Sequence, residues 1–424
     1  KKTVKYLILA SLSFLLVLYF LFVSSIIKLD WNYAHKPMYT YQNPFDWFNY
    51  KVKVNYLKSV NNFGKTSPQG LPIKKIYIDK EKQRELLVDT PLSTKIWQDG
   101  FHLNHKNELE DIKIRFRGDN PRNWLFEKKH WRIKVRKNDV KKKQRYFDYL
   151  PFDINKYLSG KIANDLGILS PKFSLVELYV NDVSQGIYIE SENINESFLR
   201  RNKIMPVNIY KAEQILNESI IALDGNAFNS PGILSKTAIF NQLDVKDKSD
   251  FIFFLELIRL SEKNLNYFKK LINGIGIDNF TKFASYQILT QNFHNDNSHN
   301  FRLILDPWSG EANPIAHDPL IGDIKTTNFN LDYSSTDLLL LLNQSSIFQQ
   351  KKFSEIYKIL KLKLIEQTIN QQKDLEKLIQ VSEKRDVEFL LKNFTIFSNK
   401  EVLSKKSQIE RSKFFNNYII YLEN

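Results

Sequence analysis

The 424-residue chain has no cysteine. Disulfides, thiol catalysis and thiolate metal sites are therefore excluded. The absence is compatible with a location outside the cytoplasm. The chain also lacks a GxxxxGK[ST] loop, a GxGxxG loop and any evident internal repeat. Neither common nucleotide signature identifies a phosphate site. Acidic residues are in the minority, 47 against 62 Lys and Arg, for a net charge of +15. Such a balance suits nucleic acid in some settings. Beside the N-terminal run described next, it points instead to anionic lipid, phosphate or acidic glycan, with no nucleic acid partner expected. The lysines are widely spread, and Lys141-Lys142-Lys143 reads as a solvated loop.

Tyr6 to Ile27 is a run of 22 residues without a charge, preceded by three lysines within Lys1 to Lys5. About 20 apolar residues span a bilayer as a helix. Lysines before the span hold the N-terminus in the cytoplasm. A secretory signal has a shorter apolar core and is the alternative. The expectation is an uncleaved anchor over 1–28, single-pass, with the main domain extracytoplasmic. Residues 29–72, with Trp31, Trp47, Pro37, Pro44 and Pro68, read as a juxtamembrane segment.

Strand patterns begin at Ile73. Asp111 to Arg117 alternates apolar and charged residues, Gly118-Asp119-Asn120-Pro121 turns, and His130 to Arg136 alternates again. This is a β-hairpin with Trp131, Ile133 and Val135 on one face and Arg132, Lys134 and Arg136 on the other. Two readings stand: an ordinary sheet with a wet basic face, or a basic face that holds phosphate together with the Gly118 turn. Tyr157 to Leu166 reads as a helix closed by Gly167. A strand at Leu175–Val180, a hairpin loop at Asn181–Gly186 and a strand at Ile187–Glu190 follow. Asn208 to Glu213 is another strand. Later segments are helical: Asp250–Leu260, Asn264–Ile272, Asp278–Phe293, Leu338–Leu342, Phe353–Ile365 and Ile369–Val381. The result is an α+β chain, sheet-rich over 73–213 and helical over 214–424.

Gln291 to Asp323 gathers three of the seven histidines and four aspartates. A polar cluster, His294 to Asn300, leads into a strand at Phe301–Leu305, a turn at Asp306–Gly310, and a second strand that runs to Ala316 and ends in His317-Asp318. A hairpin brings those ends together, although Asp296 and Asp318 are 22 residues apart. Carboxylates, amides and imidazoles so gathered suit a hard divalent cation, or acid–base work beside one. Local turn and cap roles for Asn and Asp are the competing reading. A zinc hydrolase using His294, His299, His317, Asp296 and Asp318 is a weaker one, because His294 and His299, five apart, fit a loop better than a tight ligand helix.

These segments carry a family resemblance. RFRG at Arg115–Gly118 followed by KKHWRIKV at Lys128–Val135 resembles the CotH kinase family. So do ELYVNDVSQGIYIESE at Glu177–Glu192, NIYKAE at Asn208–Glu213 and the block from Asp296 to Asp318, in the family's order. The resemblance covers about Ile73 to Asp386. It implies an atypical protein-kinase-like fold of two lobes that moves phosphate from ATP to protein Ser or Thr hydroxyls with Mg²⁺ or Mn²⁺. By resemblance Asp296 is the catalytic-loop residue, and Asn300 and Asp318 hold the metal. Arg117 and Gly118 form the phosphate turn. Lys129 or Lys134 reaches phosphate, with Glu192 as partner. The substrate implied is an extracytoplasmic protein. The chain departs from the family at His317 and Leu320, where a tryptophan and a second aspartate are usual; Asp323 lies at a different offset. That departure supports the other reading, a non-catalytic scaffold on the same fold that organises envelope or surface assembly.

Overall fold

The computed structural model describes residues 71–363 apart from 89–92, 105, 119–122, 125–126, 137–143, 213–227, 229–231, 233, 239–243, 245, 293, 298–299 and 320–333. Residues 6, 11–17, 19, 52, 367 and 375 are described as well. The chain begins with β1 (Ile73–Ile78), α1 (Lys80–Val88), β2 (Gln98–Leu103), β3 (Leu109–Phe116), β4 (Trp131–Val135) and β5 (Tyr146–Pro151). Next come α2 (Ile154–Asp165), β6 (Phe173–Val180), β7 (Val183–Glu192), α3 (Glu196–Arg201), β8 (Asn208–Ala212) and β9 (Leu234–Ala238). Then follow α4 (Ser249–Ser261), α5 (Leu265–Gly274), α6 (Ile277–Thr290), β10 (Arg302–Leu305), β11 (Ala312–Pro314), α7 (Asp337–Leu342) and α8 (Ser346–Lys361). The fold is mixed α+β, with a sheet-rich part and a helical part.

Two compact units divide these elements. The first draws its described residues from Lys1–Arg136 and Glu177–Ile187, the second from Lys137–Val176 and Tyr188–Gln380, so the division falls within β6 and β7. In the first unit β1, β2, β3 and β4 pair antiparallel in sequence order. Phe116 lies opposite Trp131, Ile114 opposite Ile133 and Ile112 opposite Val135. All six are buried, and the Phe116 and Trp131 rings lie 4.7 Å apart. The alternation read from the sequence therefore puts the apolar face in the core. On the other face Arg115 and Lys134 gather over Trp97, at 4.8 and 5.8 Å.

The second half of β6 pairs parallel with β1. The expected loop over 181–186 is shorter than the sequence suggested, because β7 already starts at Val183. Asn181 and Asp182 take left-handed φ values of 51° and 60°, which is the two-residue turn that strand twist favours. The Asn181 side chain accepts from Ile78 N and donates to Ile78 O, pinning the turn to the end of β1.

The second unit holds a four-stranded antiparallel sheet in the order β11-β10-β8-β9, with Leu303 opposite both Tyr210 and Pro314. Its core includes Tyr210, Phe251, Phe280, Phe283, Phe301 and Phe348. From Phe280 onward α6 is buried except at Lys282. Its inward polar side chains bond back along the helix, Ser285 to Thr281 O at 2.7 Å and Thr290 to Tyr286 O at 2.7 Å.

Among the described residues no helix is long and apolar enough to cross a membrane. The expected anchor over Tyr6–Ile27 lies mostly outside them and is not supported by the fold. Residues 11–17 within it are helical, with Leu12, Phe14, Leu15, Leu16 and Val17 exposed. Lys141–Lys143, His299, Leu320, Asp323 and the helix expected over 369–381 lie wholly or largely outside the described residues.

Candidate active site

Helix α6 delivers the polar cluster. It stops at Gln291, whose φ of 51° is left-handed. Asn292 is buried; its amide donates to the Tyr286 hydroxyl at 3.3 Å and its oxygen accepts from His294 N. Asn295, fully buried, clamps the two ends of the hairpin. Its Nδ2 donates to Asn300 O at 3.1 Å and to His317 O at 2.6 Å. Asn297 exchanges two hydrogen bonds of 2.9 Å with Asp337, at the start of α7. The half-buried Asp296 is thus held between two anchored asparagines.

The clamp brings the expected metal residues together. Asn300 and Asp318 both sit at left-handed φ, 53° and 48°. His294 Nε2 lies 2.8 Å from the Asn300 amide and 3.2 Å from Asp318 Oδ2. The amide's oxygen and nitrogen are interchangeable by rotation. With the oxygen inward, an Nε2–H donates to two oxygens that converge on one point. Carboxylate and carboxamide oxygens converging on a donor are the set a hard divalent cation takes. Asn300 and Asp318 therefore fit such a cation. Among the described residues no group of three or more His, Asp or Glu is placed to hold a metal. His317 is engaged elsewhere, its Nε2 being 3.1 Å from Arg302 Nη2.

A residue not singled out in the sequence completes the cluster. Lys156 Nζ forms a 2.5 Å ion pair with Asp318 Oδ1, the two side chains only 13% and 20% exposed. Lys156 lies in the first turn of α2, where the Asp153 carboxylate caps the backbone N–H groups of Asn155 and Lys156. The helix dipole disfavours a cation there. A lysine two residues beyond a capped start was the available signal.

The first-unit candidates have other partners. Arg117 N donates to His130 O at 2.9 Å. Gly118 has a φ of 91° and a side chain there would collide with Asn123, so the turn requires glycine. Lys129 Nζ donates to Trp124 O at 2.8 Å, and Lys134 lies over Trp97. In the second unit the Glu192 carboxylate takes a forked contact from Arg201, with Nη2 at 2.6 Å and Nε at 2.9 Å, and accepts from Lys172 N.

Tyr286 ties the lysine helix to the cluster helix. Its hydroxyl is 2.6 Å from Ser159 Oγ of α2. Burial, the leading cause, pushes the phenol up to about 12. The unfolded phenol titrates near 10, so the neutral hydroxyl stabilises the fold below that pH and the benefit fades as pH rises through the folded value. At neutral pH, Tyr286→Phe is expected to cost about 1–2 kcal/mol. Urea unfolding of both proteins should show this gap closing between roughly pH 10 and pH 12. A gap independent of pH contradicts the assignment.

Comparison with known proteins bears on the same region. A family model described as CotH kinase protein matches residues 114–318, from β3 to Asp318. The matched region belongs to the CotH kinase family. Inner spore coat protein H of Bacillus subtilis (strain 168) is 23% identical over 317 residues, which is 71% of this chain and 82% of that protein. The matched region is thus kinase-like by family. A CotH domain in general implies ATP, a divalent metal and a protein substrate. The match ends on Asp318, the residue that Lys156 and His294 share.

Proposed function

We propose that this chain is a membrane-anchored CotH-type kinase that moves the terminal phosphoryl of ATP to a Ser or Thr hydroxyl of an extracytoplasmic protein. The observation that carries the reading is the convergence of Asn300 and Asp318 on His294 Nε2, beside the loop of Asp296. Phosphoryl transfer asks mainly for positioning and charge neutralisation. A bound Mg²⁺ or Mn²⁺ supplies neutralisation of the phosphate oxygens. Asn300 and Asp318 would hold it, and His294 orients both. Asp296 accepts the proton of the attacking hydroxyl as the new O–P bond forms and the bond to ADP breaks. Arg117, Gly118, Lys129 and Lys134 remain the nucleotide candidates of the first unit.

Lys156 has two roles in this reading. It pairs with Asp318, and it would reach phosphate if a cation took that carboxylate. Lys156→Met should lower maximal transfer by roughly 10²-fold, as the loss of one charged transition-state contact does. The same variant should need less Mg²⁺ for half-maximal binding of ATP, because a competing cation is gone. Calorimetric titration with ATP at several Mg²⁺ concentrations tests both the reading and the role. ATP binding that ignores Mg²⁺ in the wild type contradicts the kinase reading. An unchanged Mg²⁺ requirement in the variant contradicts the role of Lys156.

Anchoring rests on the uncharged run and on the exposed apolar helical residues 11–17. The full chain should sediment with membranes in high salt and be released only by detergent. Release by salt alone contradicts an anchor. One observation favours the scaffold reading: Leu320 stands where the family's second carboxylate is usual. A scaffold binds nucleotide, or a partner, without turnover.

A further inference from the structure

Away from the candidate active site, α4, α5 and the β10–β11 turn enclose an apolar groove of about 320 Å³. Phe254, Leu271, Ile275 and Leu305 form its floor, all buried, and Phe253 stands at the edge, 72% exposed. Three carboxylates lie in its wall, Asp250, Asp306 and Glu311, and no lysine or arginine lines it. The chain as a whole is strongly basic at +15, so the sign of charge is locally inverted here.

Asp306 accepts from Trp308 N at 2.9 Å and Ser309 Oγ at 3.0 Å. Asp250 accepts from the Tyr210 hydroxyl and from Asn208 Nδ2. These donors are neutral, and among the described residues none of the three carboxylates forms an ion pair. An apolar floor beside three carboxylates is a surface that a cationic, apolar-anchored segment complements. Room for such a segment exists. A side chain built at Gly274, on the groove wall, meets nothing within 4 Å.

We propose that this groove docks a lysine- or arginine-rich segment of a partner protein, with one apolar side chain of that segment seated on Phe254 and Leu271. The proposal stands whether or not the chain transfers phosphate. The probe is a short fluorescein-labelled peptide of lysine and serine around a single phenylalanine, titrated with the full chain and read by anisotropy. Binding is expected, weakened by salt, and lost when glutamate replaces lysine or serine replaces the phenylalanine. Gly274→Arg puts a cation into open space on the wall and should weaken binding at least roughly tenfold, about 1.4 kcal/mol. Phe253→Ser, at an exposed position, should weaken it too, and unchanged thermal melts establish that both variants are folded. No binding to the wild type, equal binding of the glutamate peptide, or binding that survives in both variants overturns the proposal. Self-association of the chain that Gly274→Arg dissolves assigns the groove to a second copy and overturns it as well.

Discussion

Alanine in place of Asp318 should reduce phosphate transfer by roughly 10³-fold or more, a loss of about 4 kcal/mol or more in transition-state stabilisation. The same change should also weaken the fold. Asp318 is the counter-ion of Lys156, and removing one partner of a desolvated pair leaves the other charge unpaired. The two side chains keep 13% and 20% exposure, so solvent screens part of the cost, which should be about 1–3 kcal/mol. These two effects separate in a double variant. Asp318→Ala with Lys156→Met should regain much of the stability and none of the transfer. Urea midpoints and initial rates with labelled ATP check both halves. If transfer survives in Asp318→Ala, the carboxylate is a structural counter-ion and not a metal ligand.

Glu192→Ala should be the most damaging of the remaining changes, through the fold. Its side chain is 7% exposed and carries the fork of Arg201, which itself reaches Ser170 O at 2.8 Å. Breaking a buried, hydrogen-bonded pair costs about 3–5 kcal/mol. Arg201→Ala should cost a similar amount, and the Glu192→Ala/Arg201→Ala pair less than the sum, since the two residues share one interaction. A kinase lysine–glutamate partnership gives a different pattern. There Glu192→Gln lowers transfer while the melting temperature hardly moves, and Arg201 variants leave transfer intact. Thermal melts and rates on the four proteins discriminate between them.

The strength of the sequence signals follows the periodicity. Strands β3 and β4 were legible because strict alternation faces a fully apolar interior, and the register Phe116↔Trp131 and Ile114↔Ile133 realises it. Helix α6 was legible for the same reason at helical period. Strand β2 was not. Its QDGFHL interrupts the alternation with Gly100, where a side chain would come within 2.5 Å of Tyr77 O; close backbone approach overrode propensity. Helix α1 is polar over its first six residues and buries only Leu86, so it has no apolar stripe to read.

The site was half legible. Asn and Asp density marked the 294–318 hairpin, and Asn295 brings Asn300 and His317 together as the two-ended reading expected. Lys156 was not legible, because its partner is far away in sequence and only its odd place at a helix start hinted at it. Glu192 shows the opposite limit. Arg201 holds its carboxylate, and a carboxylate at the end of a strand does not show in sequence which cation it meets.

The most direct test is transfer itself. The purified full chain is incubated with γ-labelled ATP, Mg²⁺ or Mn²⁺ and a serine-rich acceptor protein, beside Asp296→Asn. The kinase reading predicts label on the acceptor in a metal-dependent reaction, stopped by a chelator and abolished in the variant. Folded wild-type protein that binds ATP yet transfers no label to itself or any acceptor contradicts that reading and assigns the chain to the scaffold class.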